Sequence, residues 1–305
     1  MKLLINGIDV INEVNLLEAV YEDYATALSS RLYLKFDDAD SLWQKWQLKR
    51  NDEIVLTEGQ CNTGKLYIHK STINRGLCSL FVKSIPHVVP IVQHSTFESI
   101  ELSKFAKETA KEFGFDVNLK NFTDQIYKAV SLSDSTYFSK LKELCRLEGI
   151  GIVFYNNTII LFDENKIENM ESTGDLIVEG DDKFSICDNS QMIYGQCTIQ
   201  NADLTGQFKA NNGSADVLFS SQNTPASSIS EANRFAKGLL RAVNKNAKTG
   251  TVTTELKTEY AAGSVVNLIN NRANAYNGNV FIYKTRHDFI KNQSKLFFRY
   301  AIEGY

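Results

Sequence analysis

One stretch limits what this chain can fold into: across residues 97–163, helical and strand periodicities follow one another as a single unit. A first helix is expected to start at Ser103, whose hydroxyl can accept from a free backbone N–H, and to stop at Gly114, where a left-handed residue belongs. Leu102, Phe105, Ala106, Ala110 and Phe113 fall on one of its faces. A second helix is expected after Ser133 and ends at Gly149, with Tyr137, Leu141, Leu144 and Cys145 on one stripe that Phe138 widens. Residues 150–155 and 158–162 then read as strands. Between them Asn156 and Asn157 tolerate the positive φ angles of a two-residue hairpin turn. Two amphipathic helices thus feed a tight hairpin, and Leu141 and Leu144 are expected to pack on Ile152, Phe154 and Ile160.

The flanking sequence is mostly β. At 305 residues the chain has room for two or three domains of roughly 100–200 residues. Its hydrophobic content of 43% and charged content of 23% are those of a globular protein rather than a disordered one. Residues 1–94 form the first expected unit. Residues 31–36 alternate, with Leu32, Leu34 and Phe36 on one side, and further strands are expected at 52–58, 64–70 and 78–84. Leu16, Leu17, Val20, Tyr24 and Ala27 or Leu28 suggest a short helix within 14–28. Pro86 and Pro90 mark the exit, since proline cannot donate to a ladder.

Residues 95–170 are the central unit, and the polar run 164–175 reads as a linker. Residues 171–305 return to strands, expected at 176–179, 191–200, 205–211, 250–256, 265–269, 280–284 and 295–302. One helix interrupts them. It opens on the capping-box spacing Ser228-Ile229-Ser230-Glu231, with Ala232, Phe235, Ala236, Leu239 and Val243 on one face. The two β regions share short strands and Gly or Asn turns, without an exact internal repeat.

The formal charge of −3 and a pI near 5.9 argue against a nucleic-acid coat or a polybasic membrane binder, which need clustered Lys and Arg. Five cysteines with no CxxC pair suggest neither a disulfide framework nor a zinc site, so a reducing compartment is the simpler reading. Asn6, Asp9 and Asn12 interrupt any signal-peptide core at the start, and no apolar run is long enough to span a bilayer.

Several constellations invite a chemical reading, and each has a plainer one. Gly59 to Leu66 is one residue short of a phosphate-cradling loop, but it lacks the Ser or Thr after Lys65, and LYIHK is strand-like. A hairpin turn is expected there. His69, His87, His94 and His287 have no metal-ligand spacing, and a cysteine–histidine nucleophile lacks any local signature. Asp37, Asp38 and Asp40 lack the alternation of a calcium loop and read as a solvated turn. Paired carboxylates for glycoside hydrolysis are not identifiable from sequence, because their separation is three-dimensional. Trp43 and Trp46, three apart, are expected to face one way, either anchoring a subunit contact or capping their own barrel.

The segments LSKFAKETAKEFGF and SDSTYFSKLKELCRLEGIGIVFYNNTIILFD resemble the middle of the late control gene D family, the baseplate hub proteins of contractile phage tails and tailocins, related to the hub part of type VI secretion spikes. SSRLYLKFDDADSLWQKWQLKRNDEIVLTEG, GKLYIHKS and LCSLFVKSIP are similar to that family's first barrel, with Asn51 where a glycine is frequent; Asn also accepts a left-handed conformation. GSVVNLINN through GNVFIYKTRHDFI to KLFFRYAIEG resembles the end of its second barrel, across whose outside the family's helix runs.

This resemblance implies an α+β, mainly β fold: two small tube-type barrels, 1–94 and 171–305, around a central α/β unit. It implies a structural homotrimer with no catalytic, cofactor or metal site. Its ring of six similar units would join the hexameric tail tube protein to the trimeric central spike, with the tape-measure protein in the lumen. Such a protein assembles in the bacterial cytoplasm and then belongs to the particle, without specific nucleic-acid binding or a membrane anchor. A neutral to acidic lumen would follow, with Lys45, Lys49 and Arg50 turned outward or toward partner subunits. The rivals are a cell-wall hydrolase on a hub-like scaffold and a type VI spike hub, whose chains normally continue into a β-helical spike.

Overall fold

Alternating side chains build the N-terminal half. The computed structural model describes all residues except 40, 89–91, 202–203, 212–213 and 223, so Asp40 and Pro90 lie outside the described residues. The half comprises β1 (Lys2–Ile5), β2 (Ile8–Asp9), β3 (Asn15–Tyr24), β4 (Arg31–Asp37), the short helix α1 (Leu42–Trp46), β5 (Glu53–Glu58), β6 (Cys61–Asn62), β7 (Leu66–Asn74) and β8 (Leu77–Lys83). Leu32, Leu34 and Phe36 of β4 are fully buried, as their alternation requires, and they meet Leu80 and Val82 of β8 and Ile54 and Leu56 of β5 in one core. Asn51 is left-handed, at φ 71°.

The expected helix within 14–28 is the strand β3. It pairs with β4 on one side, Ala19 opposite Leu34 and Tyr21 opposite Leu32, with a bulge between Leu16 and Glu18. Partners on both sides satisfy its backbone, and burying Ala19 and Tyr21 outweighs the weak helical spacing of Leu16, Val20 and Tyr24.

The C-terminal half contains β14 (Asp175–Ile177), β15 (Lys183–Asp188), β16 (Tyr194–Asn201), β17 (Leu204–Lys209), β18 (Ser214–Gln222), the helix α5 (Ile229–Asn244), β19 (Lys248–Glu255), β20 (Val265–Ile269), β21 (Gly278–Asp288) and β22 (Gln293–Tyr300). A 3₁₀ turn at Ser190–Met192 occupies the start of the strand expected at 191–200. β15, β19, β22 and β21 lie side by side, and β20 and β14 extend from β21. Val252, Leu268, Ile282, Leu296 and Phe298 fill this second core. The other face of β3 pairs with β21, from Lys284 opposite Tyr24 to Asp288 opposite Val20, which joins both halves into one 14-stranded sheet.

Between them lie β9 (Gln93–Glu101), α2 (Leu102–Lys111), β10 (Asp116–Lys120), β11 (Ile126–Ser135), α3 (Tyr137–Glu148), β12 (Ile150–Tyr155), β13 (Thr158–Asp163) and the short helix α4 (Glu164–Glu168). The hairpin turns at Asn156 and Asn157, with φ 46° and 60°, and α3 ends at left-handed Gly149. Neither expected N-cap is used. α2 begins at Leu102, and the carboxylate of Asp124 accepts from Ser103 N–H at 3.1 Å. Ser133 lies inside β11, which pairs with β9, and Thr136 caps α3 by accepting from Ser139 N–H at 3.1 Å. Long-range pairing extends the strand past Ser133 until a second hydroxyl becomes available.

Leu141 and Leu144 are buried with Ile152 and Phe154, while Ile159 rather than Ile160 faces them from β13. The same core continues into the C-terminal half. α5 lies on β16 and β17 and crosses α3, where Gly238 touches the Leu147 carbonyl so closely that no side chain fits. Its packing partners are therefore α3 and the separate sheet of β17, β16 and β18. Packing on two sides shifts the buried arc, so Leu240 is buried and Val243 is exposed. Ser228 caps α5 as its spacing indicates, accepting from Glu231 N–H at 3.2 Å.

Candidate functional site

The run 164–175, expected to be a solvated linker, begins with two buried carboxylates, Glu164 and Glu168. α4 is capped by Asp163, which accepts from Lys166 N–H at 3.0 Å, and it turns Glu164 and Glu168 inward, four residues apart on one face. α5 presents Arg241 and Lys245 at the same spacing, and β22 adds Arg299. Arg241 donates to Glu164 at 2.8 Å and to Glu168 at 2.6 Å. Arg299 Nε donates to Glu168 at 2.8 Å, and its guanidinium lies 4.8 Å from the Phe281 ring. Lys245 donates to both Glu164 oxygens at 2.8 Å.

Three cations thus enclose two carboxylates where the central unit, α5 and the C-terminal sheet meet. Burial opposes ionisation of Glu164, but Lys245, Arg299 and Arg241 together hold its carboxyl at about 2. Burial pushes the Lys245 ammonium down while Glu164 supports it. Tyr305 closes the junction: its hydroxyl accepts from Asn244 Nδ2 at 2.6 Å. Such a cluster fixes how elements sit together, because any other arrangement leaves a buried charge unpaired. None of these residues stood out in the sequence, although the i, i+4 acid pair and the i, i+4 base pair were readable there.

Trp43 and Trp46 do form a helical turn. Trp43 is 3% exposed and lies 4.2 Å from the Phe36 ring, inside its own core. Trp46 is half-buried and meets it edge-on at 5.1 Å. Asp38 is not solvated: it is 4% exposed, and its carboxylate accepts from Trp43 N–H at 3.1 Å. It takes over the capping that left-handed Ser41 does not provide. Gly59 and Gly64 make turns with positive φ, a strand follows Lys65, and Lys65 bridges to Glu53 at 3.0 Å, so no helix N-terminus faces this loop.

The rings of His69 and His87 lie 5.6 Å apart. Among the described residues no group of three or more His, Cys, Asp or Glu is placed to hold a metal ion. Cys61 and His287 do line one cleft, together with Asp23. Burial, aided by Asp23, pushes the Cys61 thiol up to about 12, and burial lowers the His287 imidazolium. Both shifts oppose a thiolate–imidazolium pair. His287 is held at both nitrogens, 2.8 Å from Ser294 Oγ and 3.2 Å from the Tyr260 carbonyl oxygen.

No family profile matches the sequence, and no curated protein is similar to it. Solved structures are. A tail protein from Neisseria meningitidis MC58 superposes with a TM-score of 0.76 at 12% identity, covering 98% of this chain and 95% of that one. The 43 kDa tail protein of prophage MuSo2 from Shewanella oneidensis gives 0.71 at 11% identity, over 98% and 97%. The E. coli c3393 protein, a component of the type VI secretion system with structural similarity to T4 bacteriophage tail proteins, gives 0.60 at 12% identity, over 100% and 79%. The chain therefore shares, along nearly its whole length, the mainly β fold of these tail proteins.

Proposed function

We propose that this protein is a structural component of a tail baseplate, and specifically the hub of a contractile injection particle. In this reading three copies close into a ring, each contributes two similar β units, and the resulting six units meet a hexameric tube on one side and a trimeric spike on the other. The observation that carries it is the full-length likeness to two tail proteins, one of them from a prophage, and to a type VI component, in a chain whose two β halves are fused edge to edge through β3 and β21. Units bounded at 1–94, 95–170 and 171–305 then act as first barrel, spacer and second barrel, and the buried ionic junction fixes the spacer against the second.

Among the described residues the terminal strand β15 pairs only with β19, which leaves an edge that a neighbouring copy can cover. In this reading half-buried Trp46 makes the subunit contact, while buried Trp43 serves its own core. Lys45, Lys49 and Arg50 are exposed, and in this reading they face away from the lumen and its tape-measure protein. The function is assembly rather than catalysis, in the particle rather than in free solution. Multi-angle light scattering of the concentrated protein tests the ring: a threefold mass is expected, and a stable dimer with closed twofold symmetry overturns it.

A further inference from the structure

The cleft that holds Asp23 is lined by acidic, hydroxyl and aromatic side chains. It encloses about 330 Å³ where β3, β21, the β5–β6 turn, the 258–262 loop and the central hairpin converge. Three tyrosines, Tyr21, Tyr155 and Tyr260, line it together with Asp23 and Glu259, and neither Lys nor Arg does. Its wall is clamped from several directions. Gln60 N–H donates to Thr258 Oγ at 3.0 Å, and Ala262 N–H donates to Asp23 at 3.2 Å.

Thr285 also lines this cleft. It is 1% exposed, and its hydroxyl has no hydrogen-bond partner among the described residues. A buried hydroxyl without a partner is costly to maintain unless something else satisfies it. His287, on the same strand, supplies no positive charge, because burial favours its neutral form. The cleft thus presents carboxylate, hydroxyl and aromatic surface and lacks a cation of its own.

We propose that this cleft receives the ammonium group of a lysine side chain presented by a partner protein. Tyrosine faces attract a cation and also cover an alkyl stem, which suits a long side chain with a charged tip. Lysine fits better than arginine for a specific reason. The Asp23 oxygens already accept from Ser30 Oγ at 2.7 Å, Tyr24 N–H at 3.0 Å and Ala262 N–H at 3.2 Å, so a planar fork finds no free pair of oxygens. An ammonium acts as a point charge and needs only the field and one or two acceptors such as Thr285 Oγ.

The test is a titration of the full chain, followed by NMR at the Thr285 methyl and the tyrosine rings, with Nα-acetyl-lysine methylamide as the probe. Saturable shifts are expected, with the norleucine analogue at least tenfold weaker and the arginine analogue weaker than lysine. Thr285→Val and Tyr155→Leu should each weaken lysine binding severalfold, and Thr285→Val should do so with a thermal midpoint no lower than that of the parent chain, because it removes an unpaired buried hydroxyl. Glu259→Gln, at the exposed rim, gives a further variant that leaves the core intact. No saturable shift up to about 50 mM, or equal binding of the norleucine analogue, overturns the proposal. Tighter binding of free cadaverine than of the lysine amide overturns the assignment to a protein side chain.

Discussion

Replacing Glu168 with glutamine tests whether the buried junction holds the units together. Glu168 is 4% exposed overall and accepts from Arg241 Nη2 at 2.6 Å and from Arg299 Nε at 2.8 Å, with Arg299 Nη2 at 2.5 Å from the same carboxylate. An amide keeps one acceptor but turns an NH2 toward a guanidinium that also only donates. At least one charge-assisted hydrogen bond is lost, worth about 1.5–3 kcal/mol. Three cations then share a single carboxylate, and breaking a buried pair in this way costs about 3–5 kcal/mol in all. Equilibrium urea unfolding should register that loss, while Glu171→Gln, on an exposed residue, should leave the curve in place. Combining Glu168→Gln with Arg241→Met should recover part of the loss, because the second change removes an uncompensated charge. A loss under about 1 kcal/mol would refute the reasoning, because it falls in the range of a solvated pair.

Acid should act through the same junction. The Glu164 carboxyl lies at about 2 in the folded protein against 4.5 as a free side chain, so its contribution is complete above about pH 4.5 and is lost as pH falls toward 2; urea curves across that window should show it, and Glu164→Gln should flatten the dependence. Leu141→Ala empties a fully buried position between α3 and the hairpin and should cost about 2–5 kcal/mol; an unchanged unfolding midpoint would mean that this face of α3 is not packed. Gly238→Ala places a methyl against the Leu147 carbonyl at the α3–α5 crossing and should cost at least about 1–3 kcal/mol, read by the same unfolding curves.

Elements that declare themselves locally were legible in the sequence. β4 alternates without exception, Gly149 and the Asn156-Asn157 turn need only their own backbone conformations, and the Ser228 cap lies three residues from its donor at Glu231. Elements specified by distant partners were not. β3 becomes a strand because β4 and β21 flank it, and β11 runs through Ser133 because β9 pairs with it. The ionic junction was hidden for a similar reason. Glu164 and Glu168 read as solvated polar residues until α5 and β22 bring three cations to them from 73 or more residues away. At α1 the reading was half complete: the tryptophan spacing indicated a shared face, but only the fold shows Trp43 going inward over Phe36.

The central claim is that three copies surround one axis and present six similar β units to a tube. Electron cryomicroscopy of the assembled particle, with this chain located in the baseplate density, measures it directly. The account predicts three copies with β15 edges at subunit boundaries, two β units per copy and a lumen without a concentrated Lys and Arg lining. Six copies in the ring, a single copy, or density for this chain only outside the baseplate would contradict it.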